Sequence, residues 1–426
     1  MSALNQTLSA QSSTAILRAM TPSACRIGTE VFLPVEMHHE RRMRIAFVGN
    51  YLPRQCGIAT FTTDLCNAIA AESAGSDLMV VAVNDAHSSY AYPQRVQFTV
   101  NAEDLSSYRA AANFLNDSRV DVVCLQHEYG IFGGESGRHV LCFLQHLKMP
   151  VVTTLHTVLC KPDLDQQIIL EEIAARSARL VVMSQHSAQF LQNVFRVPAR
   201  KVALIPHGIP DMPFVDPDVS KENFALTGKT VLLTFGLLST NKGFENVIRA
   251  LPRILATHPD VVYVIAGATH PHIRLNEGDR YRIGLQNLAA KMGVKKSVIF
   301  YNHFFTPQEM ASLVAAADIY ITPYCHEAQA VSGTLAFAMG AGKAVISTPY
   351  WHATELLDKG RGVLVPFEDE AAIADAINNL IENHAARMKM RQLAYLYGRD
   401  MLWSQVAHSY MRTFEDVSLV HSQRIS

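Results

Sequence analysis

The residues best suited to chemistry lie in the second half of the chain, in two polar stretches that each follow a run of Val, Ile and Leu. In "GLLSTNKG", Lys242 comes just before a helix start at Gly243. In "CHEAQAVSGT", Ser332 is a good N-cap residue, Gly333 lets a ligand approach the backbone, and Thr334 continues the first turn. Exposed N–H groups at a helix start favour an anion, so both stretches are candidate phosphate sites. Each alone also fits ordinary helix punctuation, and their occurrence on neighbouring strands favours a ligand site.

Polar residues also end several strands of the first half. Arg54 and Gly57 follow the first strand, His127 and Glu128 lie at the end of another, and His156 lies at the end of the next. Gly57 can let the backbone approach a phosphate or an acceptor. A single histidine at a strand end is more often structural, but several polar strand ends that converge on one cleft favour function.

The elements that must position these residues alternate between short apolar runs and longer amphipathic stretches. This pattern predicts parallel sheets with crossover helices, and a proline-rich segment divides it in two. The fold class is therefore α/β, with two doubly wound Rossmann-like parallel-sheet domains facing a cleft. The predicted strands are 43–50, 77–84, 120–127, 150–156, 178–184 and 201–208, then 229–236, 261–267, 297–303, 318–324 and 343–348.

The predicted organisation follows from this division. It comprises a polar N-terminal extension (1–42), a first domain (43–208), a linker (209–228), a second domain (229–395) and a C-terminal helix (396–426) that crosses back to the first domain.

The bulk properties exclude several classes of function. A net charge of −1 and a pI near 7.0 give no positive field for nucleic acid. The seven cysteines are scattered without a Cys-x-x-Cys spacing, which indicates reduced thiols and a cytoplasmic protein. The first 20 residues lack a basic stretch followed by an apolar run, so a secretory signal is not expected, and no apolar run is long enough to predict a membrane-spanning helix.

Two further features of the sequence bear on metals and membranes. The histidine pairs His38–His39 and His270–His272 lack a carboxylate at metal spacing, so no metal site is predicted. A small basic patch is formed by Arg41, Arg42 and Arg44. It is the reason to expect peripheral contact with the inner face of a membrane.

Several motifs then carry a family resemblance over residues 43 to 415. "GLLSTNKG" (236–243) resembles a Gly-Arg-Leu strand end followed by Lys and Gly, and "FAMGAGKAVIST" (337–348) resembles a Glu-Ala-Met-Ala run before Gly-x-Pro-Val-Ile. "STPYWHATELL" resembles the following segment, which ends in Glu355. "KVALIPHGIPD" resembles the family's exit from its first domain. The family is that of the retaining GT-B glycosyltransferases of family 4.

Three positions depart from this family. Its strand-end arginine falls on Leu237, its first glutamate on Gln329 and its second on Phe337, while Glu327 lies two residues out of register. The resemblance implies that the second glutamate bonds the nucleotide ribose, which a phenylalanine cannot do. Gln329 can still form hydrogen bonds with sugar hydroxyls. Because Leu237 has no charge, Lys242 lacks the second cation that the resemblance implies at the diphosphate. The donor site is therefore expected to be built differently.

The resemblance implies a retaining transferase that moves a hexosyl group, mannosyl or glucosyl, from a UDP- or GDP-hexose to a glycan or lipid-linked acceptor. It implies polysaccharide or glycoconjugate synthesis, no cofactor, and a departing phosphate that takes the acceptor proton. The implied residues fall into three groups: His156, Lys242, Glu327 and Gln329 for catalysis; Gly57, Gly236, Lys242, Gln329, Ser332, Gly333, Thr334 and Glu355 for the donor; and Arg54, His127 and Glu128 for the acceptor.

Two other kinds of function remain open at this point. The missing acid and arginine are compatible with a GT-B protein that binds a nucleotide or glycan without turnover. A sugar-nucleotide epimerase or a phosphorylase shares the fold, although no lysine is convincingly placed for the pyridoxal phosphate of a phosphorylase.

Overall fold

The computed structural model describes residues 42–85, 89–269 and 278–425. The predicted N-terminal extension therefore lies outside the described residues except for Arg42. The two histidine pairs and Arg41 also lie outside them.

Within the described residues, the first domain is a parallel sheet covered by helices. Its strands are β1 (Arg44–Gly49), β2 (Asp77–Asn84), β3 (Val96–Asn101), β4 (Val122–His127), β5 (Val151–Leu155), β6 (Arg179–Val182) and β7 (Val202–Leu204). Its helices are α1 (Gly57–Glu72), α2 (Leu105–Asp117), α3 (Val140–His146), α4 (Leu164–Arg176) and α5 (Gln185–Asn193). The strand order is β3-β2-β1-β4-β5-β6-β7.

The second domain repeats this plan within the described residues. Its strands are β8 (Thr230–Phe235), β9 (Val261–Ala266), β10 (Val298–Tyr301), β11 (Ile319–Thr322), β12 (Ala344–Ser347) and β13 (Val363–Leu364). The helices that follow α5 are α6 (Asp218–Lys221), α7 (Phe244–Leu255), α8 (Arg280–Lys291), α9 (Pro307–Ala316), α10 (Gly333–Gly340), α11 (Trp351–Leu356), α12 (Glu370–Glu382), α13 (His384–Gly398) and α14 (Trp403–Ile425). The strand order is β10-β9-β8-β11-β12-β13.

The strands are apolar along their length because helices cover both faces of each sheet. On β1, Ile45 and Phe47 pack into a core with α1 and α14, while Ala46 and Val48 pack into a second core with α2, α3 and α4. A parallel sheet buried on both faces needs this continuous apolar pattern, and it is the pattern from which the strands are predicted. The predicted two-domain parallel α/β fold is confirmed.

The linker and the C-terminal helices connect the two domains. Part of the predicted linker folds onto the second domain, where buried Lys221 pairs with Asp318 at 2.8 Å. The hydroxyl of Tyr395 on α13 donates to the carbonyl of Met212 in the linker at 3.0 Å. Helix α14 packs against α1 of the first domain, and its Tyr410 hydroxyl lies 2.8 Å from Thr154 Oγ1 on β5.

Each sheet has a point where the strand order reverses, between β1 and β4 and between β8 and β11. The loops that leave the carboxyl ends of these strands form a crevice, where ligands bind in doubly wound folds. No helix among the described residues combines the length and apolarity needed to cross a membrane.

Candidate active site

The loops after β8 and β11 pack directly against each other at the second crevice. Gly243 has a φ of +67°, and a Cβ there would lie 2.0 Å from the carbonyl oxygen of Pro323. Gly236 has a φ of +129°, and a Cβ there would lie 3.4 Å from Thr334 Cγ2. Larger residues at these two positions would be strained or would push the loops apart. The glycines therefore bring the lysine loop onto the start of α10.

Four polar side chains converge between these loops. Lys242 Nζ donates to the Tyr324 hydroxyl at 2.7 Å, and the ammonium lies 3.9 Å from the centre of the Tyr324 ring. The same hydroxyl lies 3.4 Å from both Ser332 Oγ and Thr334 Oγ1. The structure thus brings together the two predicted phosphate sites through a tyrosine for which the sequence suggested no role.

The start of α10 keeps free backbone donors. Ser332 Oγ accepts from Leu335 N at 3.4 Å, and Ser332 N donates to His352 Nδ1 at 2.8 Å. Helix geometry leaves the N–H groups of Gly333 and Thr334 without intrahelical acceptors. Burial, with the nearby His207, lowers the pKa of His352 to about 3, so the ring is neutral and its Nδ1 accepts. His352 therefore positions the N-cap of the candidate phosphate site.

The first domain reaches this site through His207. A Cβ on Gly333 would lie 2.6 Å from His207 Nε2, so only glycine allows this close approach. His207 Nδ1 donates to the carbonyl of Gly208 at 2.8 Å, and its ring meets Phe61 of α1 edge-on at 5.1 Å. Burial lowers the pKa of His207 to about 4, which leaves it neutral.

His156 at the end of β5 is also neutral. Its Nε2 donates to Gln126 Oε1 at 2.9 Å, and its ring packs edge-on against Phe61 at 4.8 Å. Burial, with the nearby His207 and His127, lowers the pKa of His156 to about 3. This ring can bond a sugar hydroxyl through its unprotonated Nδ1, but it cannot act as an acid near neutral pH.

The acids and amides of the loop after β11 have different surroundings. Gln329 Nε2 donates to the carbonyl of Val331 at 2.6 Å, so the amide is engaged within the loop. Glu327 is exposed, and its carbonyl accepts from Trp351 N at 3.0 Å. The half-buried ring of Phe337 meets the ring of Phe235 at 5.8 Å, so the position that the resemblance assigns to the second glutamate belongs to an aromatic pair.

Glu355 on α11 contacts the first domain. Its oxygens accept from Gln185 N at 2.9 Å and His186 N at 2.7 Å, the first donors of α5, and one also bonds the His186 ring. Trp351 packs beside it, with its ring 4.8 Å from that of Phe190. The carboxylate is thus engaged by a helix N-terminus, and direct contact with a donor stays a prediction that would require it to exchange these partners.

The loop after β1 is more open than the loop after β4. A Cβ on Gly57 would meet nothing within 4 Å, so this helix start has space beside it. Arg54 pairs with the more exposed Asp85 at 2.9 Å.

The loop after β4 is closed around its histidine. His127 is 0% exposed, stacks on Phe132 and has no hydrogen-bond partner at either ring nitrogen, and burial lowers its pKa to about 3. Glu128 accepts from Thr157 Oγ1 at 2.5 Å and from Tyr129 N at 3.0 Å, and burial raises its pKa. In this conformation His127 offers no surface to an acceptor, and the acceptor roles of both residues stay predictions. Within the described residues, no group of three or more His, Cys, Asp or Glu side chains is arranged to hold a metal ion.

Sequence reasoning missed Tyr324, His352 and His207. Tyr324 is the last residue of a predicted strand and His207 the last but one of another, so the sequence indicates that both lie near a ligand edge. Their contacts were not, because the partners lie in other loops.

Known proteins resemble both halves of the chain. Residues 216–397 match the family described as Glycosyl transferases group 1, and residues 56–211 match Glycosyltransferase Family 4. The chain is 24% identical over 259 residues to a D-inositol 3-phosphate glycosyltransferase of Stackebrandtia nassauensis. It is 27% identical over 215 residues to a phosphatidyl-myo-inositol mannosyltransferase of Mycolicibacterium smegmatis. These matches cover 58% and 50% of this chain but 56% and 52% of those proteins, so the chain spans just over half the length of these relatives.

A solved structure extends the likeness to the whole fold. The Anabaena protein HepE in complex with UDP and glucose has a TM-score of 0.68 and 17% identity, over 88% of this chain and 100% of that one. At this identity the likeness concerns the fold.

Proposed function

The chain belongs to the group 1, family 4 glycosyltransferases with the GT-B fold, and we propose that it is a retaining hexosyltransferase that uses a nucleotide-sugar donor. The donor is a UDP- or GDP-hexose, mannosyl or glucosyl, and the acceptor is a glycan or a lipid-linked sugar in polysaccharide or glycoconjugate synthesis. The mannosyltransferase name of the Mycolicibacterium relative supports hexosyl transfer, and the HepE complex with UDP and glucose supports a UDP-sugar as one donor.

The observation that carries the proposal is the convergence of Lys242 with the first turn of α10. An ammonium and two backbone N–H groups without intrahelical acceptors, those of Gly333 and Thr334, lie on loops locked together at one crevice. Such donors suit the two negative charges of a diphosphate.

These groups also suit the chemical step. When the bond between the sugar and the diphosphate breaks, charge develops on the phosphate oxygen, and preorganised donors stabilise it most at that moment. In the proposed reaction the acceptor hydroxyl attacks the same face of the sugar, and the departing phosphate takes its proton without a metal ion or cofactor. The neutral His156 binds a sugar hydroxyl, while Glu327 and Gln329 hold others once Gln329 releases Val331.

The acceptor is proposed to enter by the first domain, beside Arg54, Gly57 and Glu128 at the β1 and β4 strand ends. A cytoplasmic location with peripheral membrane contact belongs to the same proposal. The basic patch supports it weakly, because Arg44 donates to Asp77 Oδ2 at 2.7 Å and to the Ser118 carbonyl at 2.6 Å within the fold.

Replacement of Lys242 by alanine tests the diphosphate site. We expect UDP and GDP to bind about tenfold or more weakly to Lys242→Ala, because a charge-assisted hydrogen bond contributes roughly 1.5–3 kcal/mol. Titration calorimetry measures the affinity. The matched control is Lys229→Ala, which removes an exposed lysine paired with Asp260 at 3.0 Å and should leave affinity unchanged. Equal affinity of Lys242→Ala and wild type would remove Lys242 from the donor site.

A GT-B protein that binds nucleotide sugars without turnover is the second candidate. The specific observation in its favour is the apolar character of two positions that bind the donor in the family. Phe337 packs on Phe235, and Leu237 is half-buried. Tight donor binding without transfer or hydrolysis for any donor would favour this candidate.

A further inference from the structure

Tyr324 is a buried polar side chain at the centre of the candidate donor site. It is 4% exposed, and its ring stacks on Tyr350 with centres 4.8 Å apart and planes 17° from parallel. Its backbone carbonyl accepts from Thr348 Oγ1 at 2.7 Å. The next residue, Cys325, donates its N–H to the carbonyl of Asn241 at 3.1 Å, which ties the tyrosine loop to the lysine loop. The phenol is thus fixed in position from both sides.

The hydroxyl of Tyr324 has one strong partner and two weak ones. It accepts from Lys242 Nζ at 2.7 Å, so its own hydrogen remains available for donation. The acceptors within reach, Ser332 Oγ and Thr334 Oγ1, are both 3.4 Å away, well beyond the usual distance of about 2.7–2.8 Å between hydroxyl oxygens. A phosphate oxygen that entered between the two loops would be a better acceptor than either.

We propose that Tyr324 is a donor-binding residue that holds the ammonium of Lys242 in place and donates its own hydroxyl hydrogen to the donor diphosphate. It thereby supplies a second anchor where the family arginine is replaced by Leu237. This inference rests on the proposed function. A lysine is a mobile point charge on a long stem, and the bond to Tyr324 restricts it before the donor arrives.

The same geometry makes diphosphate binding depend on pH. Burial alone would raise the pKa of Tyr324, but the adjacent Lys242 ammonium outweighs it and lowers the pKa to about 8. The other titratable groups that face the phenol are Tyr320 on β11 and Tyr350 at the start of α11, and burial raises the pKa of both, so they stay neutral. Above pH 8 the phenolate cancels the charge of Lys242 and no longer donates. Diphosphate affinity should therefore fall as the pH rises through 8.

Titration with UDP, GDP and ADP between pH 7 and 9 tests the inference, with the wild-type chain and Tyr324→Phe compared side by side. Wild-type affinity should fall by about fivefold to tenfold over this range beyond the change that the ligand's own ionisation causes, since one protonated group is required. Tyr324→Phe should bind about fivefold to tenfold more weakly at pH 7, by the loss of one hydrogen bond to a charged group. It should also lack the additional fall at high pH, which a merely structural role would not predict.

The matched control is Tyr263→Phe, which removes a buried hydroxyl that donates to Thr234 Oγ1 at 2.9 Å in the same domain. It should keep the wild-type affinity and pH profile. If Tyr324→Phe does not fold, Lys242→Gln takes its place. Without the ammonium the phenol of Tyr324 stays neutral, so the affinity of this variant for the diphosphate should show no additional fall between pH 7 and 9.

The outcomes separate this inference from the proposed function. Identical pH profiles for wild type and Tyr324→Phe, or no additional fall in wild type, would overturn the role of Tyr324 and leave the glycosyltransferase proposal intact. Failure of the wild-type chain to bind UDP, GDP or ADP at millimolar concentration would overturn both.

Discussion

Glu355→Gln should weaken the contact between the two domains. The wild-type carboxylate accepts two backbone N–H groups at the start of α5, at 2.9 Å and 2.7 Å, and contacts the His186 ring. Glutamine keeps the size and one acceptor oxygen but loses the charge and places an NH2 group against N–H donors. The Glu355 side chain is 21% exposed, so solvent screens this contact only in part.

The magnitude follows from the bonds that are lost. A hydrogen bond to a charged group contributes roughly 1.5–3 kcal/mol, and a negative charge at a helix N-terminus adds about 0.3–1 kcal/mol. Because glutamine keeps one acceptor, we expect the free energy of domain association to fall by about 2 kcal/mol, a factor of roughly 30 in the equilibrium.

Tryptophan fluorescence measures this loss directly. The chain has two tryptophans, and both lie where the domains meet. Trp351 packs against Phe190 of α5, and Trp403 packs against Phe61 of α1 at 5.3 Å. The fluorescence-detected urea transition of Glu355→Gln should move to lower urea. The control Glu382→Gln removes a carboxylate 3.3 Å from His258 within the second domain and should change stability by less than about 0.5 kcal/mol.

The result that would refute this reasoning is equally specific. If Glu355→Gln unfolds like the control but binds UDP or GDP more weakly, the carboxylate contacts the donor and the bonds to α5 contribute little.

Two further substitutions test buried groups by their pH dependence. His127→Leu should stabilise the fold by about 1–2 kcal/mol at pH 7, because it removes two buried ring nitrogens that lack partners. The gain should be larger at pH 5, because the pKa of His127 is about 3 in the folded state and about 6.5 in the unfolded state. The wild-type free energy of unfolding therefore falls by up to about 1.4 kcal/mol for each pH unit below 6.5. A smaller gain at pH 5, measured by urea unfolding, would contradict this. Lys343→Met removes the donor to the carbonyls of Ala315 and Ala317 at the end of α9 and should destabilise the fold. Burial lowers the pKa of Lys343 to about 7, so the wild-type free energy of unfolding rises as the pH rises from 7 towards 10. The difference in free energy of unfolding between wild type and the variant should therefore grow by about 2 kcal/mol between pH 7 and 9. A constant difference in urea unfolding would show that the lysine stays charged.

The sequence predicts most of the two sheets because their strands are apolar on both faces. The strands β3 and β13 are not predicted from the sequence. β3 lies at the sheet edge and alternates between partly buried and exposed residues over most of its length, so it lacks the continuous run. β13 has two residues, too few for any periodic pattern.

The candidate site was predictable where its chemistry is local. Lys242 and the start of α10 at Ser332 and Gly333 were identified from helix starts, which depend on a few consecutive residues. The roles of Tyr324 and His352 were not, because the first depends on a contact with a lysine 82 positions away and the second on an amide 20 positions away.

The contacts of Glu355 likewise could not be predicted from the sequence. A motif resemblance assigns it to the donor, but its bonds reach residues 169 and 170 positions away in the first domain. Only the packing of the two domains brings these groups together.

The most direct test of the central claim is the release of nucleoside diphosphate from UDP-glucose, GDP-mannose and ADP-glucose in the presence of EDTA, with and without glycan or lipid-linked acceptors. We expect one donor to support acceptor-dependent release and sugar transfer with retention of the anomeric configuration. Lys242→Ala should slow that release by about tenfold or more, and Lys229→Ala should not. Tight donor binding with no release from any donor, or full activity in Lys242→Ala, would contradict the assignment of a transferase site to these loops.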